Sequence, residues 1–145
     1  MIGCPLMCTF CPQDNLRTQY GTDAKYMSLA TFQQALNNIA PDTRIDFSGM
    51  AEPWVNPECT DMLAYAFERG HRVAIYTTLY NWDRATTDRV ADILVEHSNQ
   101  LDVFMVHYPD RHGNMKGWKY NPDWEYALHV MQGVCAHIGI QCEGI

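Results

Sequence analysis

The chain has 145 residues, 47% of them apolar, 12% aromatic and 19% charged, with a formal net charge of -7. That is one domain's worth of chain with ample material for a core, which excludes a disordered polypeptide. The acidic balance speaks against generic binding to nucleic-acid backbones, and no apolar run approaches the roughly 20 residues of a membrane span.

The first residues carry neither the basic nor the apolar region of a signal peptide, so the expected compartment is the cytoplasm. In a reducing compartment clustered thiols read as metal ligands or redox groups rather than as disulfides. The opening stretch MIGCPLMCTFCPQ is such a cluster, with Cys4, Cys8 and Cys11 inside eight residues.

The segment 28–40 follows with Leu29, Phe32, Leu36 and Ile39 on one helical face, Ser28 as N-cap and Pro41 after the end. Residues 43–49 read as a buried strand closing on glycine. The next predicted helix covers 56–70, with Asn56 capping, Pro57 in the first turn, Glu58 at the positive end of the dipole and Gly70 as terminator. A strand over 71–78 precedes a helix over about 83–97 that turns Val90, Ile93 and Leu94 inward. A third strand covers 101–108, and 109–121 is a long polar loop with two glycines. Asn121 and Pro122 open a helix over 122–138 carrying Trp124, Leu128, Met131 and Cys135. Gly139 ends it, and 140–145 begins a last strand.

This alternation predicts right-handed βαβ units and a parallel sheet of nearly continuous apolar strands covered by helices. Part of a barrel and an open doubly wound sheet both satisfy it. In either, chemistry belongs at the carboxyl ends of the strands: 48–53, 77–81 and 107–110.

The cysteine spacing is Cys-x3-Cys-x2-Cys, a dense motif. Four thiolates close a tetrahedral zinc site or ligate every iron of a cluster, whereas three on a cubane [4Fe–4S] cluster leave one iron open to a small molecule. The competing reading is a zinc knuckle or a bare redox pair, with Asp14 or a distant histidine as the fourth zinc ligand.

CPLMCTFC, with Phe10 just before the third cysteine, resembles the signature loop of the radical S-adenosylmethionine (SAM) superfamily. The resemblance implies that Cys4, Cys8 and Cys11 hold a [4Fe–4S] cluster, and that SAM chelates the fourth iron. Reductive cleavage then gives a 5′-deoxyadenosyl radical that abstracts hydrogen from a peptide, protein or small metabolite. A reductant protein such as flavodoxin or ferredoxin is the implied partner. The alternative class is a non-catalytic iron–sulfur or zinc-binding protein.

Three further stretches extend the resemblance. Residues 48–53, Ser-Gly-Met-Ala-Glu-Pro, are similar to the family's Gly-Gly-Glu-Pro segment, with Gly49 letting backbone approach the ligand and Glu52 facing the SAM ammonium. The plain reading is a strand-to-helix turn with a solvated glutamate. Thr77 and Thr78 stand in the region of the family's Thr-Asn-Gly stretch, as partners for a carboxylate or ribose, or simply as β-branched strand residues. His107 takes the polar position that reaches the SAM ribose, or is a satisfied strand-end histidine.

Arg111, His112, Lys116 and Lys119 form a small basic cluster in the polar loop, suited to a substrate carboxylate or phosphate, or merely solvated. Cys59, Cys135 and Cys142 read as small hydrophobes rather than a second cluster, with Cys142 on a strand that can face the SAM adenine.

The implied fold is a partial (β/α) barrel of the radical SAM type, a single incomplete domain over 1–145. It has about four to five strands and lacks the family's usual first and last strands. Open sheet edges of that kind invite a partner chain or self-association.

Overall fold

The computed structural model describes residues 3–20 and 25–144. It is a mixed α/β structure built on a small parallel sheet. The cysteine loop leads into a short helix α1 (Gln13–Gln19), followed by α2 (Leu29–Leu36), β1 (Ile45–Phe47), α3 (Cys59–Glu68) and β2 (Val73–Thr77). Then come α4 (Arg84–Glu96), β3 (Leu101–Val106), α5 (Pro122–Ile138) and β4 (Cys142–Gly144). One-turn 3-10 segments sit at Pro53–Val55 and Ser98–Gln100.

The strands lie in the order β1-β2-β3-β4, every neighbouring pair parallel. An order without reversal is not that of a doubly wound sheet, which turns back at a switch point. Contacts between helices run α2 to α3, α3 to α4 and α4 to α5, a single layer on one side of the sheet.

That layer explains a departure from the expected strand pattern. Continuous apolar strands require cover on both faces; β2 is buried at every position but Tyr76, whereas β3 leaves Asp102, Val103 and Met105 half-buried. Val73, Ile75, Phe104 and Val106 enter the main core with Leu63, Phe67, Val90, Leu94 and Met131. The opposite face carries half-exposed Tyr76 and Met105, and near the strand starts Arg44 pairs with Asp46 and Arg72 with Asp102.

The element ends follow local chemistry. Ser28 Oγ accepts from the Thr31 amide at 3.2 Å and caps α2, which stops at Leu36 and leaves Ile39 exposed. Asn121 caps α5, and Gly139 ends it at φ +76. Asn56 Oδ1 receives the Glu58 amide at 3.1 Å, and α3 itself starts at Cys59. Glu58 does not serve its own helix: its carboxylate accepts from the Leu29 amide at 3.1 Å, at the start of α2. The predicted strand position Ile145 lies outside the described residues.

Candidate functional site

A cavity of about 260 Å³ opens at the carboxyl ends of β1, β2 and β3. Cys4, Cys8 and Cys11 line it together with Phe10. The other wall is Gly49 and Glu52 after β1, Thr77 and Thr78 at the end of β2, and His107 after β3. Every residue named as a cluster ligand or SAM-pocket candidate therefore borders one space. Sequence reasoning missed the apolar part of the lining: Leu6, Met50, Tyr76, Met105 and Met115.

The cysteine loop is seated by the polar loop that follows β3. Cys8 and Met115 form an antiparallel bridge, the Thr9 amide donates to the Asn114 carbonyl at 2.9 Å, and the Gly117 amide donates to the Leu6 carbonyl at 2.8 Å. The Thr9 hydroxyl adds a 2.7 Å bond to Asn114 Oδ1. Gly117 is obligatory here for want of space. A Cβ at that position would overlap the Pro5 carbonyl oxygen and lie 2.8 Å from its carbon and 3.1 Å from the Leu6 carbonyl carbon. These are backbone atoms that no rotamer change can move. The expected basic cluster does not converge. Lys116 borders, with Arg17, a second space that the three cysteines also line, and Lys119 faces a separate cavity.

Gln13 is a second residue the sequence did not flag. It is buried, its Oε1 accepts the Gly3 amide at 3.0 Å, and its Nε2 donates to the Met50 carbonyl. The Cys11 thiol approaches the same carbonyl at 3.6 Å. Gln13 thus ties the start of the cysteine loop to the segment after β1. Helix α1, which carries it, has one apolar side chain in seven residues and no side-chain cap, so periodicity gave no sign of it. Gln13→Leu, similar in size but without hydrogen bonds, is expected to lower stability by about 1–3 kcal/mol. Faster hydrogen exchange at the Gly3 amide should accompany it; unchanged exchange there would show that the tether is redundant.

Glu52 is 3% exposed, far from the solvated glutamate of the plain reading. Its Oε1 accepts from the Thr77 hydroxyl at 2.6 Å and the Trp54 amide at 3.4 Å. Its Oε2 accepts from the Thr78 amide and hydroxyl, both at 2.7 Å. Four donors occupy the carboxylate's lone-pair sites. Burial pushes its pKa up, and the bonds from Thr77, Thr78 and Trp54 pull back without cancelling that rise. The threonine hydroxyls also accept, Thr77 from the Leu79 amide at 2.9 Å and Thr78 from the Tyr80 amide at 3.3 Å. These three side chains therefore bind one another and join the turn after β1 to the end of β2.

Gly49 has φ +113, a region that glycine alone enters freely, and a Cβ there would meet nothing within 4 Å. Its role is conformational, and it leaves the backbone open to the cavity. The His107 ring stacks on Phe10 with centroids 5.8 Å apart and planes 4° apart, joining the cysteine loop to β3's end. Burial raises the Cys8 thiol, and the neighbouring charges of Cys4 and Cys11 raise it further.

Among the described residues no three His, Cys, Asp or Glu side chains are set to hold a single metal ion. The Asp14 side chain, considered as a zinc ligand, lies outside what is described. Three soft thiol donors around a cavity suit a cluster in which each sulfur holds its own iron.

Cys59 and Cys135 are buried, as small hydrophobes should be. Cys142 does not face the cavity. It packs on the core, and the interaction between the two thiols raises Cys135 and lowers Cys142.

Fold and cavity together define a parallel β/α structure with a thiol-rimmed pocket at its strand ends. Compared with protein-family models, curated proteins and solved structures, the chain matches none.

Proposed function

We propose that the chain is a radical SAM enzyme core, a partial (β/α) barrel whose concave side carries the reaction. The observation that supports this best is the convergence of Cys4, Cys8, Cys11, Gly49, Glu52 and His107, from three separate segments, on one cavity. When bound, a [4Fe–4S] cluster with SAM supplies one-electron cleavage of the sulfonium and a 5′-deoxyadenosyl radical.

The chain's own residues bind and shield. Cys4, Cys8 and Cys11 are the ligands for the cluster. Their mutual repulsion as thiolates, which burial aggravates at Cys8, is relieved by a cationic centre. Gly49 gives the ligand access to backbone. Phe10, Met50, Met105 and Met115 give the cavity apolar surface, which disfavours water around reactive species. Glu52 with Thr77 and Thr78 fixes the wall. Its acceptor sites are already filled, so its part is to position the turn carrying Gly49 rather than to act as the sole partner of an ammonium. The substrate is a peptide, protein or small metabolite, the electron source a flavodoxin- or ferredoxin-like protein, and the compartment the cytoplasm.

The test is anaerobic. Protein reconstituted with iron and sulfide, reduced with dithionite and given SAM should release 5′-deoxyadenosine, and Cys8→Ala should release none. Colourless protein with stoichiometric zinc and no product would replace the enzyme by a metal-stabilised module. A stable brown protein whose EPR signal ignores SAM would make it an electron carrier.

A further inference from the structure

A further cavity, of about 290 Å³, lies beyond the end of β2, and the proposed reaction makes no use of it. Its walls are aromatic: Tyr80 from the turn after β2, Trp118 and Tyr120 from the polar loop, and Trp124 from the first turn of α5. Tyr120 is 61% exposed, among the most exposed large side chains described. Aromatic surface gathered around an open hollow is characteristic of ligand sites rather than of solvated loops.

The walls are fixed. Trp124 Nε1 donates to the Thr78 carbonyl at 2.8 Å, and the Trp124 ring meets Tyr108 edge-on at 6.3 Å. Trp118 stands at 85° to Trp124 with centroids 5.9 Å apart, so the two indoles form a right-angled corner. The turn opposite is held in an unfavourable backbone. Leu79 and Asn81 have φ +57 and +68, and only asparagine among these tolerates that region well. Local sterics would relax this turn, so packing maintains it, and it sets Tyr80 and Asn81 at the cavity.

The polar groups indicate the occupant. Lys119 is the lining cation, Asn81 and Asn121 supply amides, and no carboxylate is among the lining residues. Glu125 stands outside the lining, close enough to the Tyr120 hydroxyl to raise its pKa. An aromatic cage for an ammonium ligand would not include a lysine. A flat ring lying on one indole face presents its edge to the other, the arrangement aromatic rings prefer. We propose that this cavity binds a planar aromatic ring carrying an anionic group, a carboxylate or a phosphate. The proposal stands apart from the radical SAM reading, since no cluster ligand lines the cavity.

The experiment is an NMR titration of the full chain, following the indole N–H signals of Trp118 and Trp124. Indole-3-acetate and adenosine monophosphate are the anionic probes, and indole and adenosine their neutral counterparts. At least one anionic probe should shift both signals saturably and bind about tenfold tighter than its neutral partner. Whichever anion binds identifies carboxylate or phosphate. Lys119→Glu, a change at an exposed side chain, should erase that preference, and Trp118→Leu should weaken both members of the pair by about tenfold. No saturable shift up to about 10 mM would overturn the proposal. So would equal binding of charged and neutral probes, or a preference that survives Lys119→Glu.

Discussion

Gly117→Ala should unseat the cysteine loop. The new methyl group would overlap the Pro5 carbonyl and press on the Leu6 carbonyl carbon, both main-chain atoms. Relief requires the two segments to part, which breaks the 2.8 Å bond from Gly117 to Leu6 and strains the bridge between Cys8 and Met115. Overpacking against a rigid neighbour costs about 1–3 kcal/mol, and the lost backbone bond adds about 1 kcal/mol or more. We therefore expect a loss of about 3 kcal/mol in urea unfolding and a severe drop in iron bound per chain after reconstitution. Gly113→Ala makes the comparison: Gly113 has φ +70 but open space around its Cβ position, so that variant should be strained yet retain iron. If Gly117→Ala bound iron as well as Gly113→Ala, the contact between the loops would have no part in holding the thiols.

Glu52→Ala is the second large effect. It strands two hydroxyls and two amides in a buried space, at about 1–3 kcal/mol for each unsatisfied donor, less whatever water enters the hole. We expect a loss of about 4 kcal/mol and a collapse of the cavity wall. Glu52→Gln keeps the shape but offers one acceptor oxygen in place of two, with an amide group aimed at donors. It should fall between the two.

The pH dependence separates burial from hydrogen bonding. Because folding raises the Glu52 pKa above its ordinary value of 4.5, its stabilising contribution is complete below that value and is lost as pH rises through the folded one. The wild type's stability advantage over Glu52→Gln should therefore shrink as pH rises from 4.5 toward neutrality. An advantage that grew with pH would mean that the four donors outweigh desolvation.

The fold was most legible where caps and periodicity agree. Helix α5 begins and ends where Asn121, Pro122 and Gly139 predict. The cavity was legible too, because the carboxyl ends of parallel strands are adjacent whatever the details, and the thiols could be placed against them. Two features were hidden for different reasons. Helix α1 lacks an apolar stripe and is held by the tertiary bonds of Gln13 rather than by propensity. The pairing of the polar loop with the cysteine loop is a long-range main-chain contact, and side-chain types barely encode it. Gly117 looked like a loop glycine, although its reason lies at Pro5. Glu52 does border the cavity, but Thr77 and Thr78, singled out beside it as ligand partners, prove to be its own partners.

The contact between Thr9 and Asn114 spans 105 residues. At synthesis rates of about 5–20 residues per second, the ribosome takes roughly 5–20 s to deliver the second segment after the first. Throughout that interval the three thiols have left the ribosome without the backbone that seats them. They are then open to oxidants and to adventitious soft metals. On the proposed reading, cluster loading would be one of the last events in this polypeptide's maturation, and the nascent thiols would need a carrier or low oxygen to shield them meanwhile.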